Sequence, residues 1–289
     1  ADESKQLIQP VPSAASREAY LASNVQATAQ AANSLTFSCD TVPSGNLTVY
    51  VVITRLYDNT PIGVTWATDS WASIQKTSEQ GKTAEIYGSQ VGATRQITLT
   101  NGNTMTIRLS NATNNMYSLS DGSRTTGLCM EFVDCFPDTY FMNSNGTNIG
   151  GWNGCQMRTV KMAQLFDLLP SDLQAVIATV DIKASSGNSI GSTVVTSQDK
   201  LFLLAEREIF ATRKNSLQAE WDALTRWQYY ANNDTAAARV KNRNGSAEYW
   251  WERSAYAGYQ NYSCLVWSGG SAGSGAADYS YGVSPGFCI

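Results

Sequence analysis

The alternation of apolar and polar positions divides the chain into short strand-like runs and short helical ones. Residues 14–33 are rich in Ala and other helix formers and predict a helix. Two strand-like runs follow at 35–39 and 47–57. The second is β-branched and aromatic almost throughout and is closed by the turn residues Asp58-Asn59-Thr60-Pro61. Residues 1–65 therefore read as a small adaptor or connecting region of one helix plus strands.

From about residue 66 the texture changes. Asp69 or Ser70 can cap a short helix carrying Trp71, Ile74 and Glu79 and stopped by Gly81. Residues 96–109 alternate on both sides of Asn101-Gly102, a hairpin signal in which Asn-Gly supplies positive φ angles. Residues 128–136 read as another strand. Val160, Met162, Leu165, Phe166 and Leu169 recur at near-helical spacing and predict a helix over 157–169. Ser171 and Gln174 then form a capping-box pair after Pro170. Residues 176–183 look extended and 184–191 form a polar loop. Residues 200–212 are apolar with Glu206 and Glu208 embedded, and Trp221, Leu224, Trp227 and Tyr230 predict a helix over 217–231. Glu206 and Glu208 read as solvated or salt-bridged side chains.

The last stretch departs from all of this. Most residues from Ser254 to Ser284 are Ser, Gly, Ala or Tyr, yet apolar anchors punctuate the run: Tyr249-Trp250-Trp251 before it, Cys264-Leu265-Val266 within it, Val283 and Phe287 at its end. Regular apolar anchors argue against low-complexity disorder and for a sheet with an adaptable outer face. Tyr, Ser, Gly and Asn suit such a face because Tyr covers a large area with only two torsions while the small polar residues adapt their hydrogen bonding. Tyr256, Tyr259, Tyr262, Tyr279 and Tyr281 beside Trp267 mark a candidate binding site rather than an inert surface.

Composition narrows the chemistry. The 289 residues contain no histidine, which removes Ser-His-Asp and Cys-His catalysis and most zinc sites. A net charge of -4 argues against nucleic acid as a partner. No apolar run reaches the roughly eighteen residues of a membrane-spanning helix. Six cysteines at wide spacing, without a CxxC pair, do not suggest a zinc ribbon. The apolar neighbours of Cys264 and Cys288 predict buried free thiols. The chain starts at Ala1 rather than Met, as removal of a leader or of a longer N-terminal portion would leave it.

Several separated motifs carry a family resemblance. They are Met142-Asn143-x-x-Gly146-Thr147-Asn148-x-Gly150-Gly151-Trp152 with Met157-Arg158, the run from Leu168-Leu169-Pro170-Ser171-Asp172 to Ile177, Asp199-Lys200-Leu201-Phe202-Leu203-Leu204, and Trp250-Trp251-Glu252-Arg253-Ser254 closed by the residues from Gly282 to Ile289. The resemblance they carry covers roughly residues 66–289. This pattern resembles a domain family of gut bacteria and their phages that is similar to the formylglycine-generating-enzyme branch of the C-type lectin fold. The resemblance implies an α+β, C-type lectin-like domain over 66–289. It implies a variable protein of a diversity-generating retroelement, in which a reverse transcriptase rewrites adenines near the 3′ end of the gene. The variable segment would run over about 254–281. Its display positions would be Tyr256, Ala257, Tyr259, Gln260, Asn261, Tyr262, Trp267, Ser268, Ser271, Ala272, Ser274, Asp278, Tyr279 and Tyr281. Trp267 departs from the pattern, because adenine changes in an Asn codon do not reach Trp; it is then a fixed platform, or this copy is not diversified.

The expected role is a receptor-binding display protein of a phage tail or bacterial cell surface, whose partner is a surface protein or glycan of a target cell. No enzymatic activity, cofactor or metal is expected. A homo-oligomer is left open, since tail fibres are commonly trimeric but no heptad repeat demands it. Three alternatives stand beside this reading. One is a static glycan-binding lectin-like domain: its calcium-dependent form lacks the carboxylates and the signatures of sugar-binding lectins, while metal-free binding through stacked tyrosines stays open. The second is a copper-dependent cysteine-oxidising enzyme using Cys264 and Cys288, whose apolar settings do not favour thiolates. The third is a structural virion or surface-layer component with an unengaged face.

Overall fold

The computed structural model describes residues 25–31, 34–39, 60–187 and 193–289, the first two stretches by their backbone pairing. The chain forms two compact units, residues 1–59 and 60–289. In the first, β1 (Val25–Ala31) pairs antiparallel with β2 (Ser34–Cys39). The helix expected over 14–33 is thus a strand over its described part. Val25, Ala27, Ala29 and Ala31 alternate with Gln26, Thr28 and Gln30, and this period of two outweighs the helix propensity of alanine. The run at 47–57 lies outside the described residues.

The second unit opens with α1 (Trp71–Glu79), whose Ser70 side chain caps it by accepting from Ser73 N at 3.1 Å. After α2 (Thr83–Tyr87), β3 (Thr94–Thr98), β4 (Thr104–Ser118) and β5 (Thr125–Phe132) build an antiparallel sheet, which β13 (Gly286–Cys288) completes in the order β13-β5-β4-β3. The β3–β4 turn is a three-residue loop between Leu99 and Asn103. Gly102, at φ 84°, takes the left-handed conformation there and Asn101 does not.

The expected helix over 157–169 is a wider π turn, Met157–Lys161, running into α4 (Met162–Phe166), after the short α3 (Gly151–Gly154). No capping box forms at α5 (Ser171–Val176). Pro170 occupies the N-cap, and Gln174 Nε2 instead donates to Leu169 O at 2.8 Å. The extended stretch begins later than expected: β6 (Val180–Ser185) pairs with β7 (Val194–Asp199). The expected helix over 217–231 is two short helices, α7 (Gln218–Asp222) and α8 (Gln228–Asn232), preceded by α6 (Glu206–Ile209). Trp227 breaks the run between them because its buried ring donates from Nε1 to Tyr117 OH at 2.9 Å.

After α9 (Ala236–Arg239), β8 (Lys241–Arg243) and β9 (Ser246–Glu248) form a hairpin on Asn244-Gly245, at φ 52° and 82°. This is the turn in which both central residues take positive φ. A second sheet, β10-β11-β12, comprises Trp250–Ala255, Tyr262–Val266 and Ala272–Ala276, all antiparallel. Isolated bridges join Phe202 to Gly286 of β13 and Trp250 of β10 to Gly282, and buried side chains of both sheets share one hydrophobic core.

That core holds charge as well as hydrocarbon. Glu131 on β5 is fully buried, paired with Lys241 Nζ and Arg108 at 2.8 Å each, and accepts from Ser110 and Tyr230. Burial alone would raise its carboxyl, but the two cations override that and hold it at about 2.

Candidate binding surface

The surface rests on β10. Trp250 and Trp251 point to opposite faces and are both fully buried. Trp250 Nε1 donates to Arg239 O at 3.0 Å, and Trp251 Nε1 to Tyr140 O at 2.8 Å. Between Trp251 and Ala255 the ladder shifts, so that Glu252, Arg253 and Ser254 together oppose only Cys264. This bulge turns charged side chains into the core. Arg253 meets Glu208 through two contacts of 2.5 and 2.6 Å and donates to Leu203 O at 2.8 Å. Burial would lower its guanidinium, and the Glu208 carboxylate reverses the shift. Ser254 Oγ donates to Glu220 and accepts from Glu206 N. Glu206 in turn accepts from the backbone of Lys214, Asn215 and Ser216 at 2.7–3.0 Å. Glu206 and Glu208 are therefore buried network members, and the solvated alternative for them does not hold. The Glu208 partners Tyr117 and Arg253 come from distant segments and the Glu206 partners from the loop at 214–216, which the sequence spacing does not reveal.

Glu252 is the exception in this network. It is fully buried, and neither carboxylate oxygen has a hydrogen-bond partner among the described residues. Burial pushes its carboxyl well above the usual range, and the neighbouring Glu206 and Glu220 push it further. A raised folded-state value makes the native protein the stronger proton binder. Stability from this group is full below the ordinary carboxylate range and declines as pH rises toward the folded value. Glu252→Gln keeps the shape and abolishes this proton uptake. Its melting temperature should match the wild type in acid and exceed it at neutral to alkaline pH; parallel pH curves would refute the protonated state.

Beyond Ala255, scaffold residues hold the backbone of the candidate segment. Asn148 Nδ2 reaches three main-chain carbonyls, of Tyr262 at 2.6 Å, Tyr259 at 3.1 Å and Tyr256 at 3.3 Å. Its own N–H donates to Gln260 O at 2.6 Å. Glycines fix this asparagine. Gly151 is left-handed at φ 53°, and a Cβ there would lie 1.8 Å from Ser185 O. Trp152 anchors the same turn by donating from Nε1 to Asp199 at 2.9 Å. Further along, Asn215 O accepts from Ala257 N and its Nδ2 donates to Gly273 O, while Arg239 Nε donates to Gly270 O. Tyr140 and Tyr281 exchange both backbone bonds. Asn148→Ala should cost about 1–3 kcal/mol and speed amide exchange across Tyr256–Tyr262 while sparing β5. Unchanged exchange in that loop would show that the clamp is dispensable.

None of the fourteen candidate positions is buried. Tyr256, Ala257, Tyr262, Trp267, Ser268, Ala272, Ser274 and Tyr281 are half-buried; Tyr259, Gln260, Asn261, Ser271, Asp278 and Tyr279 are exposed. Tyr259 and Tyr279 keep 64% and 61% of their surface open. The anchors Trp250, Trp251, Leu265, Val266, Val283 and Phe287 are fully buried.

The aromatic positions gather into two groups. Tyr256, Tyr259 and Tyr262 form a triangle with ring centroids 6.0–6.1 Å apart. Tyr249, Trp267, Tyr279 and Tyr281 form the second, with Trp267 4.8 Å and Tyr281 5.7 Å from Tyr249. Bare backbone on β12 makes room for the second group. A Cβ at Gly273 would lie 2.2 Å from the Trp267 ring, and one at Gly275 2.7 Å from Tyr281. Trp267 thus lies across the strand as a platform. Tyr249, 37% exposed, belongs to this group although the sequence reading placed it among the anchors; its spacing of two from Trp251 puts it on the same face. Asp278 is the single charged member of the fourteen and packs beside Gly146.

Among the described residues no group of three or more His, Cys, Asp or Glu is placed to hold a metal. Cys264 and Cys288 are buried free thiols, as their neighbours predict, but Cys288 faces Cys129 of β5 rather than Cys264. No helix among the described residues is long and apolar enough to cross a membrane.

Residues 128–289 match the family model of a domain of unknown function, DUF6273, and the chain belongs to that family. The match begins inside β5, so β3 and β4 of the same sheet lie before it. Searches of curated proteins and of solved structures gave no significant match.

Proposed function

We propose that this protein is a non-enzymatic display protein, whose segment 254–281 presents a Tyr-rich surface to a surface protein or glycan of a target cell. The observation that carries this reading is the separation of roles along the segment. Its backbone is fixed by Asn148, Asn215, Arg239 and Tyr140, its anchors are buried, and every one of the fourteen candidate side chains reaches solvent. Side chains can then change with little effect on folding, the physical requirement for a diversified receptor-binding protein of a phage tail or cell surface. The C-type lectin-like fold of the formylglycine-generating-enzyme type is part of the same proposal, and the mixed α+β architecture with several small antiparallel sheets is compatible with it.

Two experiments test it. Sequencing the gene's locus should find a reverse-transcriptase gene and a near-copy of the last hundred or so bases that differs only at adenines; their absence would reduce the protein to a static binder. Adhesion of the purified protein to a panel of intact gut bacteria should be lost in the Tyr259→Ala/Tyr279→Ala variant with its melting curve retained. Adhesion that survives this change would move the site elsewhere. A glycan is favoured among partners by the exposed tyrosine rings and the scarcity of charge, since sugar rings stack on aromatic faces and their hydroxyls bond to the phenols.

A further inference from the structure

The thiols of Cys129 and Cys288 meet across the β5–β13 ladder. The register pairs the two residues directly. Ile289 N donates to Leu128 O at 3.0 Å and Phe132 N to Pro285 O at 3.1 Å. Both bonds belong to hydrogen-bonded pairs of this antiparallel ladder, so Cys129 and Cys288 fall at a non-hydrogen-bonded pair between them. At such pairs the Cα atoms approach to about 4.5 Å and the side chains share one face, which is within the span a disulfide bridges.

The other described thiols are placed differently. Cys135 lies against Gly282, Cys155 donates to Trp152 O and accepts from Arg158 N, and Cys264 opposes Ser274 on β12.

We infer that Cys129 and Cys288 are an oxidation site, closed to a disulfide by a donor disulfide of the glutathione or protein-dithiol class when the chain folds in an oxidising compartment. In the bond-forming sequence the Cys288 thiolate attacks the donor disulfide, a mixed disulfide forms, and one donor thiolate leaves. The Cys129 thiolate then attacks the Cys288 sulfur and displaces the second donor thiolate. Two protein S–H bonds are replaced by one S–S bond, and the two electrons reduce the donor to two thiols.

The order of events follows from burial. Both side chains are fully enclosed, so a donor reaches Cys288 only while β13 is undocked. Burial pushes the Cys129 thiol well above its ordinary range, and contact with Cys288 adds to this. The docked, reduced pair is therefore unreactive. Once formed, the bond encloses the whole candidate display segment in one covalent loop and pins β13 at the edge of its sheet. This bond stands or falls independently of what the surface binds.

The test is to refold the full wild-type chain from denaturant in a mixture of reduced and oxidised glutathione, then alkylate under denaturing conditions and map the peptides. The expected product has a Cys129–Cys288 linked peptide, alkylated Cys135, Cys155 and Cys264, and a guanidinium unfolding midpoint that falls when dithiothreitol is added. Native protein with both thiols alkylated, or with either linked to another cysteine, would overturn the inference. Should refolding fail, the same map on protein secreted into a bacterial periplasm gives the same two readings. In the reduced native protein, iodoacetamide should leave both thiols unmodified; rapid labelling of Cys288 would contradict the enclosed pair.

Discussion

Replacing Arg253 with Met should lower the unfolding free energy of the 60–289 unit by about 3–5 kcal/mol, the usual cost of stranding one partner of a buried ion pair. Arg253 and Glu208 are both excluded from solvent and joined by two short contacts. Glu208 also accepts from Tyr117 at 2.5 Å and from Ala205 N at 2.9 Å, so it cannot leave the core without unmaking α6. The methionine fills much of the arginine's volume, which confines the loss to charge and hydrogen bonds. The double variant Arg253→Met/Glu208→Gln should recover a large share of the stability because it removes the stranded carboxylate. Chemical denaturation of the three proteins tests this, and a single variant as stable as the wild type would show that the bulge does not depend on the pair.

The second large effect separates anchor from display. Trp251→Ala should cost roughly 3–5 kcal/mol, since its ring is enclosed between Tyr281 and Gly275 and its Nε1 bonds to Tyr140. Tyr259→Ala should move stability by no more than about half a kcal/mol, since that ring stands largely in solvent. Thermal melts of the two variants decide the matter. Equal losses would mean that the tyrosine triangle is part of the core, and the reverse order would invert the assignment.

These two residues sit eight positions apart, and their contrast was partly legible in the sequence. Apolar anchors spaced through a Ser/Gly/Tyr run pointed to a folded sheet with a variable face, and the burial of Cys264, Leu265 and Val266 follows that pattern. Local chemistry was equally readable where one short segment decides the outcome. The Ser70 cap and the hairpin around Gly102 are examples. The Asn244-Gly245 turn carried the same signal as Asn101-Gly102 and is the better hairpin of the two, yet the short polar strands flanking it hid it. Alanine content masked the period-two alternation of β1.

What the sequence could not convey depends on partners far along the chain. Glu206 and Glu208 read as solvated or salt-bridged and Glu131 carries no sign of burial, because nothing nearby announces Arg253, Lys241 or the 214–216 backbone. The bulge at Glu252–Ser254 has no alternation to betray it, since it is a departure from alternation. Asn148 stands out only as part of a motif. Its grip on three carbonyls more than a hundred residues later belongs to tertiary structure alone.

The most direct test of the display account is a library in which the six exposed positions, Tyr259, Gln260, Asn261, Ser271, Asp278 and Tyr279, are randomised among Tyr, Ser, Asp, Gly, Ala and Asn while the anchors and Asn148 stay fixed, with cooperative thermal unfolding measured clone by clone. Most clones should unfold cooperatively within a few degrees of the parent, because each exposed change shifts stability by no more than about half a kcal/mol. A library in which most clones lose cooperative unfolding would contradict the account, since the segment would then be holding the fold together rather than being held by it.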